Sequence, residues 1–112
     1  MKRLSFNDTS NNLQATIVEI EDNEFNCAFA TSPKFIALIV FNRDDNNSYD
    51  QKLEVRIFDR QSGFKLNETS CESFVKARSL HFHPVFDNLL FIHNDKTLIL
   101  CDLERHLHLK SF

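Results

Sequence analysis

Apolar and polar residues alternate with a period of two along most of the chain, and no long stretch carries the i, i+3, i+4 spacing of an amphipathic helix. The pattern predicts strands. Thr16–Glu21 (TIVEIE) alternates cleanly, and Phe25, Cys27 and Phe29 are expected to share one face of a second strand. Phe35–Phe41 (FIALIVF) is a continuously apolar third, and Leu53–Phe58 is a fourth. Asp59–Gly63 (DRQSG), which contains the only glycine, predicts a turn, and Phe64–Leu66 begins a short edge strand.

The order then starts again. Ser79–His83 sets Leu80 and Phe82 on one face, Leu89–Ile92 and Leu98–Cys101 are apolar runs, and His106–Leu109 alternates once more. Each half therefore reads as alternating strand, apolar run, strand ending in Asp, turn and short edge strand. The strand-ending aspartates, Asp59 and Asp102, are separated by a repeat within the ~40–45-residue range of WD repeats. Arg43–Gln51 (RDDNNSYDQ) has the composition of a solvated loop, longer than its counterpart in the second half.

The second half resembles a WD repeat: SLHFHP at Ser79–Pro84 matches the first strand of that family, and DKTLILCD at Asp95–Asp102 matches the turn and third strand. The first half is similar through FNCAF at Phe25–Phe29, KFIAL at Lys34–Leu38 and VRIFD at Val55–Asp59. Phe58 and Cys101 stand where the family usually has Trp, and neither half has the family's Gly-His pair. The resemblance implies an all-β fold of antiparallel four-stranded blade-like units, a partial β-propeller. It implies structural turn roles for Asp95 and Thr97, before the third strand, and for Asp59 and Asp102 at its end. The organisation expected is an N-terminal segment (residues 1–24) whose TIVEIE strand supplies an outer strand to the first blade. A first blade follows over residues 25–72, with its long loop at 43–51, and a second over residues 73–112. Propellers close with ~4–8 blades, so two blades leave sticky edges. The expected partners are other proteins or the missing blades of the chain's own propeller, and oligomerisation with further copies is a third route to completion.

Composition narrows the function classes. With 112 residues, 42% of them hydrophobic and 26% charged, the chain fits one soluble globular domain. A formal net charge of −3 supplies no basic footprint for nucleic acid. No apolar run reaches the ~18 residues of a membrane helix, and MKRLSFNDTS has no secretory character. Three cysteines, at Cys27, Cys71 and Cys101, fit a reducing compartment better than a disulfide framework, so the setting expected is intracellular, cytoplasmic or nuclear.

Catalytic signals are missing from the sequence. A single glycine rules out a phosphate-cradling loop, and there is no G-x-S-x-G elbow. Asp44, Asp45 and Asp50 lack the spacing and closing Glu of a calcium loop. Two pairs, His81 with His83 and His106 with His108, motivate an alternative reading as a small metal-binding β protein or metalloenzyme. In a blade the two pairs would sit on the innermost and outermost strands, roughly 14 Å apart, too far to share a zinc ion held at ~2.0–2.1 Å. No catalytic residue, metal ligand or cofactor is therefore assigned. The function expected is a non-catalytic protein–protein interaction module, a scaffold piece of a multiprotein complex such as a ubiquitin-ligase receptor. Its candidate partner-binding loops carry Arg43, Asp44, Asp45, Tyr49, Asp50, Glu72, His93 and Lys96.

Overall fold

The computed structural model describes residues 1–7, 15–42, 54–66, 78–94, 96–105 and 107–111. Among the described residues, nine strands form three antiparallel sheets. The first sheet pairs β1 (Lys2–Asn7) with β2 (Ala15–Ile20). The central sheet has the order β3 (Glu24–Thr31), β4 (Phe35–Asn42), β5 (Glu54–Asp59). The third runs β6 (Ser79–Phe82), β7 (Leu89–His93), β8 (Leu98–Asp102), β9 (Leu107–Ser111). Each connection within a sheet joins neighbours, so every sheet is a simple meander.

The sheets stack face to face, with the central one in the middle. Along β4 the pleat sends Ile36, Leu38 and Val40 to one side, where they meet Phe6, Val18 and Ile20 of the first sheet and Phe58 of β5. Phe35, Ala37 and Ile39 go to the other side with Val55 and Ile57, against Leu80, Leu90, Ile92, Ile99 and Cys101 of the third sheet. This double cover is why FIALIVF is apolar without a break: a strand buried on both faces has no solvent side on which to place polar residues. Full burial of each such aliphatic side chain contributes about 1.5–3 kcal/mol.

Two expectations are corrected. The N-terminal segment does not add an outer strand to the first blade-like unit; β2 pairs with β1, a strand the sequence did not announce, and both lie over the central sheet as a separate layer. Val18 and Ile20, pointing the same way as Phe6, gain more by covering Leu38 and Val40 than they would at a sheet edge. Among the described residues the expected edge strand of the central unit is seen as one bridge, Phe58 with Lys65, supported by Asp59 N–H to Phe64 O at 2.9 Å and Leu66 N–H to Ile57 O at 2.8 Å; residues 67–77 lie outside them. Phe25 and Phe29 do not share a face. A bulge between Asn26 and Ala28 shifts the register, so Phe25 pairs with Phe41 and Phe29 with Leu38, on opposite sides of the sheet.

Gly63 closes the turn after β5 with φ of 78°, a left-handed conformation that other residues avoid. A β-carbon there would also collide with the carbonyl oxygen of Ile17. The same corner receives Thr16, whose Oγ1 donates to Arg60 O at 2.5 Å. The outer strand β2 is thereby fixed over the outer turn of the central sheet, which leaves β1 lying further in, towards β3.

Candidate interaction surfaces

The two strand-ending aspartates hold equivalent turns. Asp59 accepts from the Ser62 amide at 2.8 Å, the Ser62 hydroxyl at 2.9 Å and the Gln61 amide at 3.1 Å. The Ser62 amide, then its hydroxyl, keep the Asp59 carboxyl below the usual carboxylate range. Asp102 accepts from Asn88 Nδ2 at 2.9 Å and from the amides of Glu104 at 3.1 Å and Arg105 at 3.3 Å. Burial pushes the Asp102 carboxyl upward, but the Asn88 bond and the two amides outweigh it and the net shift is down. Asn88 and Ser32 went unread in the sequence. The Ser32 hydroxyl donates to Asp87 O at 2.9 Å and accepts from the Phe35 amide at 3.1 Å, tying the β3–β4 turn to the β6–β7 turn.

In the β7–β8 turn the hydrogen bonds among the described residues converge on Asn94. Its Oδ1 accepts from the Lys96 amide at 2.9 Å, the Thr97 amide at 2.7 Å and the Thr97 hydroxyl at 2.9 Å. An Asx side chain reproduces a backbone turn in this way. Thr97 has the expected turn role, whereas Asp95 lies outside the described residues. Of the candidate partner-binding positions, His93 and Lys96 are exposed beside this turn. Arg43, Asp44, Asp45, Tyr49, Asp50 and Glu72 lie outside the described residues.

Below this rim the central sheet carries a polar cluster. Arg56 spans Glu24 and Glu54: Nη1 donates to Glu24 Oε1 at 2.8 Å, and Nη2 bonds Glu24 Oε2 and, at 3.0 Å, Glu54 Oε2. The Arg56 guanidinium holds the Glu24 carboxyl below its ordinary value against the opposing effect of burial, and Glu24 in turn raises Arg56. Lys2 Nζ donates to Glu24 O at 2.7 Å and sits 3.4 Å from the Phe25 ring centroid, linking the first sheet to the same corner. The cluster ties β3, β5 and the first sheet together, although Arg56 Nε is buried with no hydrogen-bond partner among the described residues.

The histidines and cysteines separate into structural roles. His83 follows β6, and its Nδ1 accepts from the amides of Val85 and Phe86, both at 3.0 Å, so that nitrogen is committed to a turn. His81 is exposed on the outer face of the third sheet. His106 lies outside the described residues, as does the side chain of His108. Among the described residues no three His, Cys, Asp or Glu side chains gather at metal-binding distance. Cys27 is a free thiol at the bulge, pushed up in pKa by desolvation and directed at Ile39 O at 3.6 Å. Cys101 is disulfide-bonded and fully buried in the core between the central and third sheets.

An apolar face lies on the outer side of the third sheet, where Leu89, Phe91, Leu98 and Leu100 are half-buried. Phe35 pairs with Asp59 in the central sheet, and Leu89 with Asp102 in the third. Counted from that shared pair, Ala37 corresponds to Phe91, Val55 to Leu98 and Ile57 to Leu100. On the central sheet Phe35, Ala37, Ile39, Val55 and Ile57 are at most 8% exposed because the third sheet covers them. Their counterparts Leu89, Phe91, Leu98 and Leu100 line an outer face on which no further sheet is stacked among the described residues. At the opposite end of the stack, the outer face of the first sheet carries Arg3, Ser5, Ile17 and Glu19, with Arg3 Nε 3.4 Å from Glu19 Oε1. One end of the stack is dressed for water and the other for another sheet. Among the described residues no helix is long and apolar enough to cross a membrane. No protein-family model, curated protein or solved structure matches the chain.

Proposed function

We propose that the chain is a non-catalytic protein–protein interaction module, a run of WD-repeat-like blades from a larger β-propeller or scaffold assembly, whose docking face is the outer side of the third sheet. The observation that carries this reading is positional. Leu89, Phe91, Leu98 and Leu100 occupy the register positions that bury the central sheet against the third. A repeat that places aliphatic and aromatic residues there prepares the same contact once more, and an apolar sheet face of this kind marks an interaction site. The occupant is a further antiparallel sheet, presenting alternating apolar residues of the kind that Leu90, Ile92 and Ile99 present to the central sheet.

Site-specific photo-crosslinking in cells tests the reading. A photoreactive side chain at position 100 is expected to give one discrete protein adduct, which the Phe91→Lys change abolishes. The same group at position 19, on the polar outer face of β2 in the first sheet, is expected to give none. Absence of an adduct from position 100, or equal adducts from both positions, overturns the proposal.

A further inference from the structure

A second binding site lies at the other end of the stack, along the inner edge of β1. Among the described residues the first sheet has two strands, and it covers part of the central sheet beneath it. β2 is held over the outer corner by Thr16 to Arg60 and by the close approach of Gly63 to Ile17. β1 lies inward of it, and Phe6 reaches the ring of Phe29 on β3 at 5.3 Å, edge to face. There the cover stops. Phe29, on the same side of the central sheet as Leu38, remains 59% exposed. Among the described residues β1 pairs only with β2, so its inward edge presents unpaired backbone N–H and C=O groups beside that exposed ring.

We infer that this edge receives a β-hairpin from a partner polypeptide: one strand pairs antiparallel with β1, and the hairpin lays an apolar side chain over Phe29. The interface that already exists between the first and central sheets dictates the fit. Strands added to β1 at the ~4.8 Å spacing of a sheet continue inward over β3, where Phe29 waits. Backbone pairing supplies affinity, and the apolar residue over Phe29 supplies register, the division of labour in strand addition. The third sheet shows the arrangement complete: β6 and β7 form the hairpin there, with β7 paired to β8, and their apolar face covers the inner part of the central sheet. The site is separate from the outer face of the third sheet and does not depend on that face binding anything.

The experiment uses the full chain and, as probe, a synthetic peptide of residues 79–93, which carries the β6–β7 hairpin sequence. Hydrogen–deuterium exchange at Leu4–Phe6 is expected to slow by about tenfold or more with the peptide at saturation, since a paired strand amide exchanges only on opening. Phe29→Asp is expected to weaken peptide binding by about tenfold or more, as loss of an aromatic anchor does. Phe64→Asp, at a residue 75% exposed on the outer side of the stack, is expected to leave binding unchanged. Leu98→Lys with Leu100→Lys is likewise expected to leave it unchanged, which separates this site from the proposed docking face. Because Phe29 is exposed, the Asp variant is expected to melt as the wild type does, and circular dichroism checks this. Three results would each overturn the inference: no slowing at β1, slowing that survives Phe29→Asp, or slowing without peptide in a dimer of the chain, which would make a second copy the occupant.

Discussion

The central and third sheets share a register, but one is covered on both faces and the other on one. Position for position, Val55 and Ile57 match Leu98 and Leu100, and Phe58 matches Cys101, buried towards the preceding sheet in each case. The difference lies in the neighbours. The same apolar pattern is fully buried where a sheet follows and half-buried where, among the described residues, none does. The sheets also diverge inside the stack: the central sheet places Arg56 between two glutamates where the third places Ile99. One sheet fixes its rim with ions and the other with packing.

Removing the ionic fixture is the largest expected blow to the comparison. Arg56→Ala leaves Glu24 buried without its partner and is expected to cost about 3–5 kcal/mol in urea unfolding. Ile99→Ala, at the matching place, creates only a cavity and is expected to cost about 2–4 kcal/mol. A sharper contrast is Ile57→Ala against Leu100→Ala. Ile57 is 1% exposed and is expected to lose about 2–4 kcal/mol. Leu100, with one side open, is expected to lose about 1 kcal/mol or less in the free chain. Equal losses would mean that the outer face of the third sheet is already covered.

The smallest expected effect concerns the two turn aspartates. Both carboxyls lie below their ordinary value in the folded chain. The stability each contributes is therefore present above the ordinary carboxylate range and is lost as pH falls through the folded-state value, that is, below about pH 4. Asp102→Ala is expected to cost about 1–3 kcal/mol at pH 7 and to flatten this acid-side loss. Asp59→Ala, whose bonds face solvent, is expected to cost about 1 kcal/mol or less. Urea midpoints at pH 7 and pH 3 measure both. A larger effect at Asp59 would reverse the ranking of the two turns.

Most strands were legible because an alternation of period two survives in any window of five or six residues. β1 was not, since Leu4 and Phe6 give it only two apolar positions, and what defines it is the sheet beneath. The paired turns after β5 and β8 were legible through Asp59 and Asp102. Their partners Ser62 and Asn88 were not, because the bonding set of a turn depends on backbone path more than on composition. The β7–β8 turn was legible through Thr97, while its Asn94 acceptor was not. The face assignment of Phe25 and Phe29 failed for a sharper reason: a single extra residue changes no propensity and leaves no compositional mark.

That extra residue makes β3 a parity device. Upstream of Cys27 the even-numbered residues face the first sheet, which puts Glu24 on the side of Arg56; downstream the odd-numbered ones do, which puts Phe29 on the same side. A strand without the bulge could serve the ion pair or the aromatic contact, but not both. Cys27 therefore acts through its count in the chain more than through its sulfur: any small residue would keep the phase, whereas its deletion would turn one half of the strand inside out.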